Sequence, residues 1–422
     1  MSIGKVCGSH GAAVLCRSPP DDKGKVSAGD GERMNLFLLT FFLIYGSAHG
    51  YFLLRAWQGL APGRSGMLLL GVWALLMVLA PLTVRLLERE GHEQLARVSA
   101  YIGYSWMGFL FLFFSLMLLL DILRGVRYLG AFFIRMPAVP LFAPRPMFLF
   151  CCLAALLIAV YGWFEALQIK VEHLVIPTSK LPAGAARVRI VQITDLHVGL
   201  IVRDGRVSRV VQAIRQADPD LVVVTGDFVD GNVAHFDGVS EMFRGLAPPL
   251  GMVAVYGNHE YYVGFGQATT FLQRSGFDLL RAGCRDAGDY LTVVGVDDPA
   301  AGRSGEFRDN DEQRLLKSVP AERFVLLLKH RPVVSPDSQG RFDLQLSGHV
   351  HKGQIFPFNL LTWLSFPVKA GLNPLAGGGA LYVNRGSGTW GPPIRFLAPP
   401  EVTVIDLVPT STSSAAPSDR SS

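Results

Sequence analysis

Val188-Arg189-Ile190-Val191-Gln192-Ile193 is a short, mostly β-branched and aliphatic run that stops just before Asp195 and His197. Such a run reads as a buried strand of a layered sheet. The pattern recurs four times downstream. Leu221 to Val224 leads to Asp227 and Asp230, and Met252 to Tyr256 leads to Asn258, His259 and Glu260. Phe324 to Leu328 leads to His330, and Leu344-Gln345-Leu346 leads to His349 and His351. Between the first two runs, Val207, Val210, Val211 and Ile214 repeat at helical spacing, and Asp218-Pro219 closes that helix. Strand, helix, strand is a βαβ unit, so the ends of the first two strands lie side by side. In open α/β sheets ligands bind beyond the carboxyl ends of the strands, so residues far apart in sequence converge there.

Carboxylates, imidazoles and one amide at strand ends make a site for two divalent metals, and such a pair usually hydrolyses phosphate esters. Two ions roughly 3.5–4 Å apart activate a shared water and clamp the attacking and leaving oxygens of an in-line displacement. Nitrogen and oxygen ligands without thiolate suit Mn, Fe or Zn. The plainer reading is that a lone histidine at a strand end is structural or solvated. The distribution argues against it: after residue 180 the chain has six histidines, and only His235 falls outside the five runs.

The spacing carries a resemblance. Asp195-Leu196-His197, Gly226-Asp227-Phe228-Val229-Asp230, Gly257-Asn258-His259-Glu260, His330 and Gly348-His349-Val350-His351 follow the order of the calcineurin-like metallophosphoesterases. The likeness covers roughly residues 186–408. The stretches from Ser347 to Gln354 and from Tyr382 to Pro393 are similar to the membrane-attached bacterial branch and its vertebrate transmembrane relatives. The resemblance implies an α/β domain of two packed β-sheets flanked by helices. It also implies that Asp195, His197 and His351 hold one metal, that Asn258, His330 and His349 hold the other, and that Asp227 bridges them. His259 would stand beside the scissile phosphate and protonate the leaving group, with Asp230 orienting its ring.

Other residues carry two readings each. Glu260 takes a catalytic part or satisfies loop amides. Arg385 meets a phosphate oxygen or lies on the surface, the surface being favoured. Gly386 and Gly388 serve backbone geometry. Lys352 stands where the related proteins usually carry glycine. It either grips a second phosphate or, the preferred reading, keeps its head in water.

The first half is a different material. Of 422 residues, 50% are hydrophobic and 17% charged, too apolar for an ordinary soluble protein. Four stretches approach the roughly 20 residues that cross a bilayer: Leu36 to Leu54, Met67 to Val84, Tyr101 to Leu120, and Met147 to Phe164. The second contains Pro81. The first resembles a cleaved signal peptide at Gly46-Ser47-Ala48, but three further spans favour a retained helix. The expected organisation is an extension over 1–33, disordered or preceding a true start at Met34; about four membrane helices over 34–169; the catalytic domain over 170–408; and a disordered tail over 409–422.

Lysines and arginines near the spans number twelve on the side of the N-terminus and six on the other. This imbalance favours a multi-pass protein of the inner membrane with its catalytic domain in the cytoplasm. Cys284 alone lies in the catalytic region, so no disulfide forms within it. The net charge of +5 is spread over membrane flanks without a basic-aromatic stripe, which speaks against nucleic acid as a partner. Ile355 to Pro367 is apolar for a segment following an active-site loop. Core packing is its default reading, and contact with membrane lipids or a lipid-linked substrate is the other. The expected function is thus a membrane-anchored phosphoesterase with two divalent metals, acting on a phosphomonoester, phosphodiester or pyrophosphate. Its alternatives are a tethered nucleotide or cyclic-nucleotide phosphodiesterase, and a non-catalytic scaffold or sensor on the same fold.

Overall fold

The computed structural model of the chain describes residues 28–134, 143–181, 184, 186–233, 236–304 and 311–410. Residues before 28, His235 and the tail from 411 onward lie outside the described residues, and the readings made for them go no further.

Four helices come first: α1 (Ala28–Leu60), α2 (Arg64–Arg89), α3 (Glu93–Ile134) and α4 (Pro144–Glu165). Strand β1 (Lys170–Thr178) leads away from them, followed by β2 (Val188–Ile193), α5 (Asp204–Ala217), β3 (Leu221–Thr225), α6 (Asp237–Arg244) and β4 (Met252–Val255). Next come α7 (Asn258–Val263), α8 (Phe265–Arg274), β5 (Asp278–Leu279), β6 (Gly283–Ala287), β7 (Leu291–Gly295), α9 (Asp311–Ser318) and β8 (Phe324–Leu328). The chain ends through β9 (Leu344–Ser347), α10 (Asn359–Ser365), β10 (Gly371–Pro374), β11 (Ala380–Val383) and β12 (Glu401–Pro409).

The strands form two six-stranded sheets, ordered β1-β12-β2-β3-β4-β5 and β10-β11-β9-β8-β7-β6. Strand β2 runs parallel to β3 and β3 parallel to β4, as the βαβ reading requires. Alternation along each strand explains the layers. Ile190 of β2 and Val223 of β3 face Leu326 of β8 and Leu346 of β9 between the sheets. Val191 and Val224 face the opposite way, under Ile214 of α5, Phe243 of α6 and Phe271 of α8. Helix α5 ends where Asp218 turns left-handed at φ 50°, just before Pro219, at the expected stop.

Among the described residues, three helices are long and apolar enough to cross a membrane: α2, α3 to Phe133, and α4. The expected first span lies inside α1. The third expected span, Tyr101 to Leu120, occupies only the middle of the 42-residue α3, about 63 Å long at 1.5 Å per residue. The catalytic domain docks along the start of that span. Ala100 joins the core under the first sheet, with Tyr101 and Tyr104 packed on it. One turn further, a Cβ on Gly108 would stand 2.9 Å from Ile394 Cδ1. Helix α4 docks similarly. Arg395 N donates to Gly162 O at 2.9 Å, and Leu397 N donates to Glu165 Oε2 at 3.1 Å. Ile355 and Ile394 share one apolar cluster with Leu110, Phe113 and Phe148 of the helices.

A Cβ on Gly162 would lie 2.7 Å from Arg395 O, a backbone atom that cannot swing aside. Gly162→Leu is therefore expected to destabilise the docked state by about 1–3 kcal/mol, read as a lower melting temperature of the detergent-solubilised full-length protein. An unchanged melting temperature would show that this seam contributes nothing.

Candidate metal centre

All nine residues singled out by the motifs sit just beyond the carboxyl ends of β2, β3, β4, β8 and β9, so the two sheets deliver them to one place. Five of them have left-handed backbone: Asp195 (φ 50°), His197 (54°), Asp227 (51°), His349 (72°) and His351 (47°). Such conformations are uncommon for residues with a side chain and store roughly 1–3 kcal/mol each, which only a strongly determined surrounding maintains. Backbone bonds supply part of that determination. Asp195 N donates to Gly226 O at 3.0 Å, His197 N to Asp227 O at 3.1 Å, and Gly348 N to His330 O at 2.9 Å. The buried Glu260 carboxylate accepts from the amides of Gly257 (2.7 Å), Phe228 (2.7 Å), Asp227 (3.0 Å) and Val229 (3.2 Å). Satisfying loop amides is thus what Glu260 does. Glycine is required where the loops touch: a Cβ on Gly348 would lie 2.2 Å from Asp195 Oδ2, and one on Gly257 2.2 Å from Asp227 Oδ1.

Three groups of ligand atoms result: Asp195, His197 and His351; Asp227, His330 and His349; and His197, Asp230 and His259. In the first, His197 Nε2 lies 3.1 Å from His351 Nε2, which is 3.3 Å from Asp195 Oδ1. In the second, His330 Nε2 lies 3.2 Å from Asp227 Oδ2 and 3.1 Å from His349 Nδ1. Asp227 Oδ2 is also 3.9 Å from His197 Nε2, so it stands between the two groups. Asn258 opens α7 beside them, and its buried Oδ1 has no hydrogen-bond donor. Imidazole nitrogens and carboxylates facing one another without thiolate, with an orphaned amide oxygen on an adjoining loop, are a donor set that fits divalent cations. His259 Nδ1 lies 2.7 Å from Asp230 Oδ1, and the ring of Trp390 stands 5.7 Å from that of His259.

Burial alone would raise the carboxyls of Asp195, Asp227 and Asp230, but the surrounding imidazoles hold all three well below the usual carboxylate range. The same pairing outweighs burial at His259, raised to about 9, and at His330, raised to about 10. Burial and the neighbouring His330 push His349 down to about 4. Burial lowers His351 as well.

Three placements correct or extend the sequence reading. Arg385 is not a surface residue: it is half-buried, with Nε 2.7 Å from Glu401 Oε2 and its guanidinium also paired to Glu172. Lys352 is exposed and adopts φ 51°, ψ 29°, a left-handed conformation that explains why glycine suits this position. Arg395 left little mark in the sequence because its partners are main-chain carbonyls rather than side chains. It is fully buried and donates to Gly388 O, Arg385 O and Ala398 O at 2.8–2.9 Å. Its Nη2 lies 3.2 Å from His351 Nδ1. The only local signal was a charge inside Ile394-Arg395-Phe396.

Known proteins agree with this arrangement. The calcineurin-like phosphoesterase family profile matches residues 188–353. An uncharacterized metallophosphoesterase of Aquifex aeolicus is 39% identical over 255 residues, 60% of this chain and 97% of the relative. One of Helicobacter pylori is 34% identical over 59% of this chain and 66% of its own length. A transmembrane protein with metallophosphoesterase domain from Danio rerio is 32% identical over 59% of this chain and 60% of its own. The chain belongs to the calcineurin-like metallophosphoesterases. It is a metal-dependent phosphoesterase, and its apolar helices together with the transmembrane relatives point to membrane association.

The pKa shifts give a test. His259 and His330 are raised above the ordinary 6.5. Their pairing therefore stabilises the metal-free fold fully below about pH 6.5, and that contribution is lost as pH rises through about 9 to 10. A divalent cation needs the deprotonated ring, so its stabilisation grows with pH instead. Adding Mn should raise the melting temperature more at pH 8 than at pH 6, with chelator reversing the gain. A shift independent of pH would contradict imidazole ligation.

Proposed function

We propose that this chain is a membrane-anchored phosphoesterase using two divalent cations, Mn, Fe or Zn, to hydrolyse a phosphomonoester, phosphodiester or pyrophosphate of a lipid-linked substrate. The observation that carries the reading is the meeting of Asp195, His197 and His351 with Asp227, His330 and His349 in one place. Asp195, His197 and His351 would hold one cation, Asn258, His330 and His349 the other, and Asp227 would serve both. Bound there, the pair activates water and neutralises charge on the phosphate. His259 presents the proton on Nε2 to the leaving oxygen, and Asp230 fixes the ring by accepting from Nδ1. With a pKa raised to about 9, His259 carries that proton at neutral pH. Nearby cations lower the value, so its activity limb falls at or below pH 9.

Lipid linkage is supported by α10, which follows directly on the His349–His351 loop. Leu360, Leu361, Trp363 and Leu364 of α10 are all more than half exposed. The Phe358 ring preceding α10 lies 5.9 Å from Phe111 of α3. The excess of lysine and arginine on the N-terminal side supports a multi-pass placement in the inner membrane with the catalytic domain in the cytoplasm.

Two measurements test this reading. With an aryl phosphodiester and added Mn, Asp227→Asn should remove metal and activity together, while His259→Ala should keep metal and slow turnover by about 10²–10⁴. Equal activity in all three proteins rules the mechanism out. Turnover of a lipid phosphoester in mixed micelles should exceed that of its soluble headgroup analogue; equal rates with and without micelles end the lipid proposal.

A further inference from the structure

Behind α10 a cavity of about 570 Å³ opens, and nothing in the metal chemistry uses it. Its floor is polar and internally satisfied. Arg385 pairs with Glu172 and Glu401, and Tyr382 Oη donates to Glu401 Oε1 at 2.6 Å. Its rim carries Lys352 and Lys369, both exposed and, among the described residues, without a carboxylate partner. Three cations against two carboxylates leave the cavity net positive. Asn359, at the start of α10, also lines it, and its buried Oδ1 lacks a donor. The remaining wall is apolar: Leu360 is 60% and Trp363 58% exposed, and Phe366 stands with its ring 5.1 Å from that of His349.

The surroundings identify what covers this wall. Ile355 lies in the same cluster as Leu110 and Phe113 of α3, and Phe358 touches Phe111. The uncovered side chains of α10 thus continue the surface of helices that are long and apolar enough to cross a bilayer. Apolar residues continuous with the spanning helices, beside lysines without a carboxylate partner among the described residues, match a lipid with a negatively charged headgroup.

We propose that this cavity binds an anionic phospholipid of the surrounding bilayer. The headgroup phosphate sits between Lys352 and Lys369, a headgroup hydroxyl donates to Asn359 Oδ1, and the acyl chains lie along Leu360, Trp363 and Phe366. Lys352 immediately follows His351, so the occupied cavity fixes the height of the metal loop over the membrane.

The test uses the full-length protein in bilayer nanodiscs with chelator present, so that neither turnover nor binding at the metal centre contributes. Phosphatidylglycerol with brominated acyl chains should quench tryptophan fluorescence more than brominated phosphatidylcholine at the same fraction. The excess should vanish in Trp363→Phe, which separates this tryptophan from the other five. Lys352→Gln with Lys369→Gln should weaken the preference about tenfold, and the double arginine variant should restore it. Equal quenching by both lipids, or a preference that survives the glutamine pair, overturns the proposal. Because metal is absent, the result stands or falls independently of whether the protein hydrolyses lipid phosphoesters.

Discussion

The catalytic half depends on one buried carboxylate whose hydrogen bonds, among the described residues, come from main-chain amides. Glu260 gathers the amides of Asp227, Phe228, Val229 and Gly257. It thereby joins the loop after β3 to the loop after β4. Burial raises its pKa, a penalty offset by four backbone donors. With those loops joined, Asp227 is fixed at φ 51° and accepts from His259 N at 2.8 Å. One residue thus stands within reach of His197, His330 and His259. Removing Glu260 would free four amides inside the core, each an unsatisfied group costing about 1–3 kcal/mol.

A second constraint comes from the sheets. Parallel strands point their carboxyl ends the same way, so β2, β3 and β4 open on one edge and β8 and β9 on the facing edge. Neither sheet holds a full ligand set by itself. The interface between Ile190, Val223, Leu326 and Leu346 therefore sets how closely the members of each ligand group approach one another. Packing in that layer has direct chemical weight, because a shift of one sheet over the other would carry His330 and His349 away from Asp227.

Much of this was legible beforehand because buried parallel strands are near-continuous apolar runs, and each run here ends on chemistry. The weaker strands were not. Strand β10 spans Gly371–Pro374 and β6 spans Gly283–Ala287, sequences whose strand character comes from a neighbour rather than from the residues. Arg385 looked like a surface residue because its partners, Glu172 and Glu401, lie far off in sequence. Arg395 was invisible for a different reason, since its acceptors are nearby main-chain carbonyls, which leave no mark on composition. Gly348 and Gly257 stood in the sequence only as members of the motif stretches. The structure adds that the carboxylates of Asp195 and Asp227 occupy the space a side chain would take.

The docking of Ile355, Ile394 and Phe396 against the helices has a practical corollary. A fragment cut after α4 would bare a greasy flank and strip Arg395 N of its acceptor on Gly162. That arginine also braces His351, so the wound would reach the metal loop. Inactivity or clumping of such a trimmed preparation would report on the severed seam rather than on the chemistry, and the intact chain in detergent is the meaningful specimen.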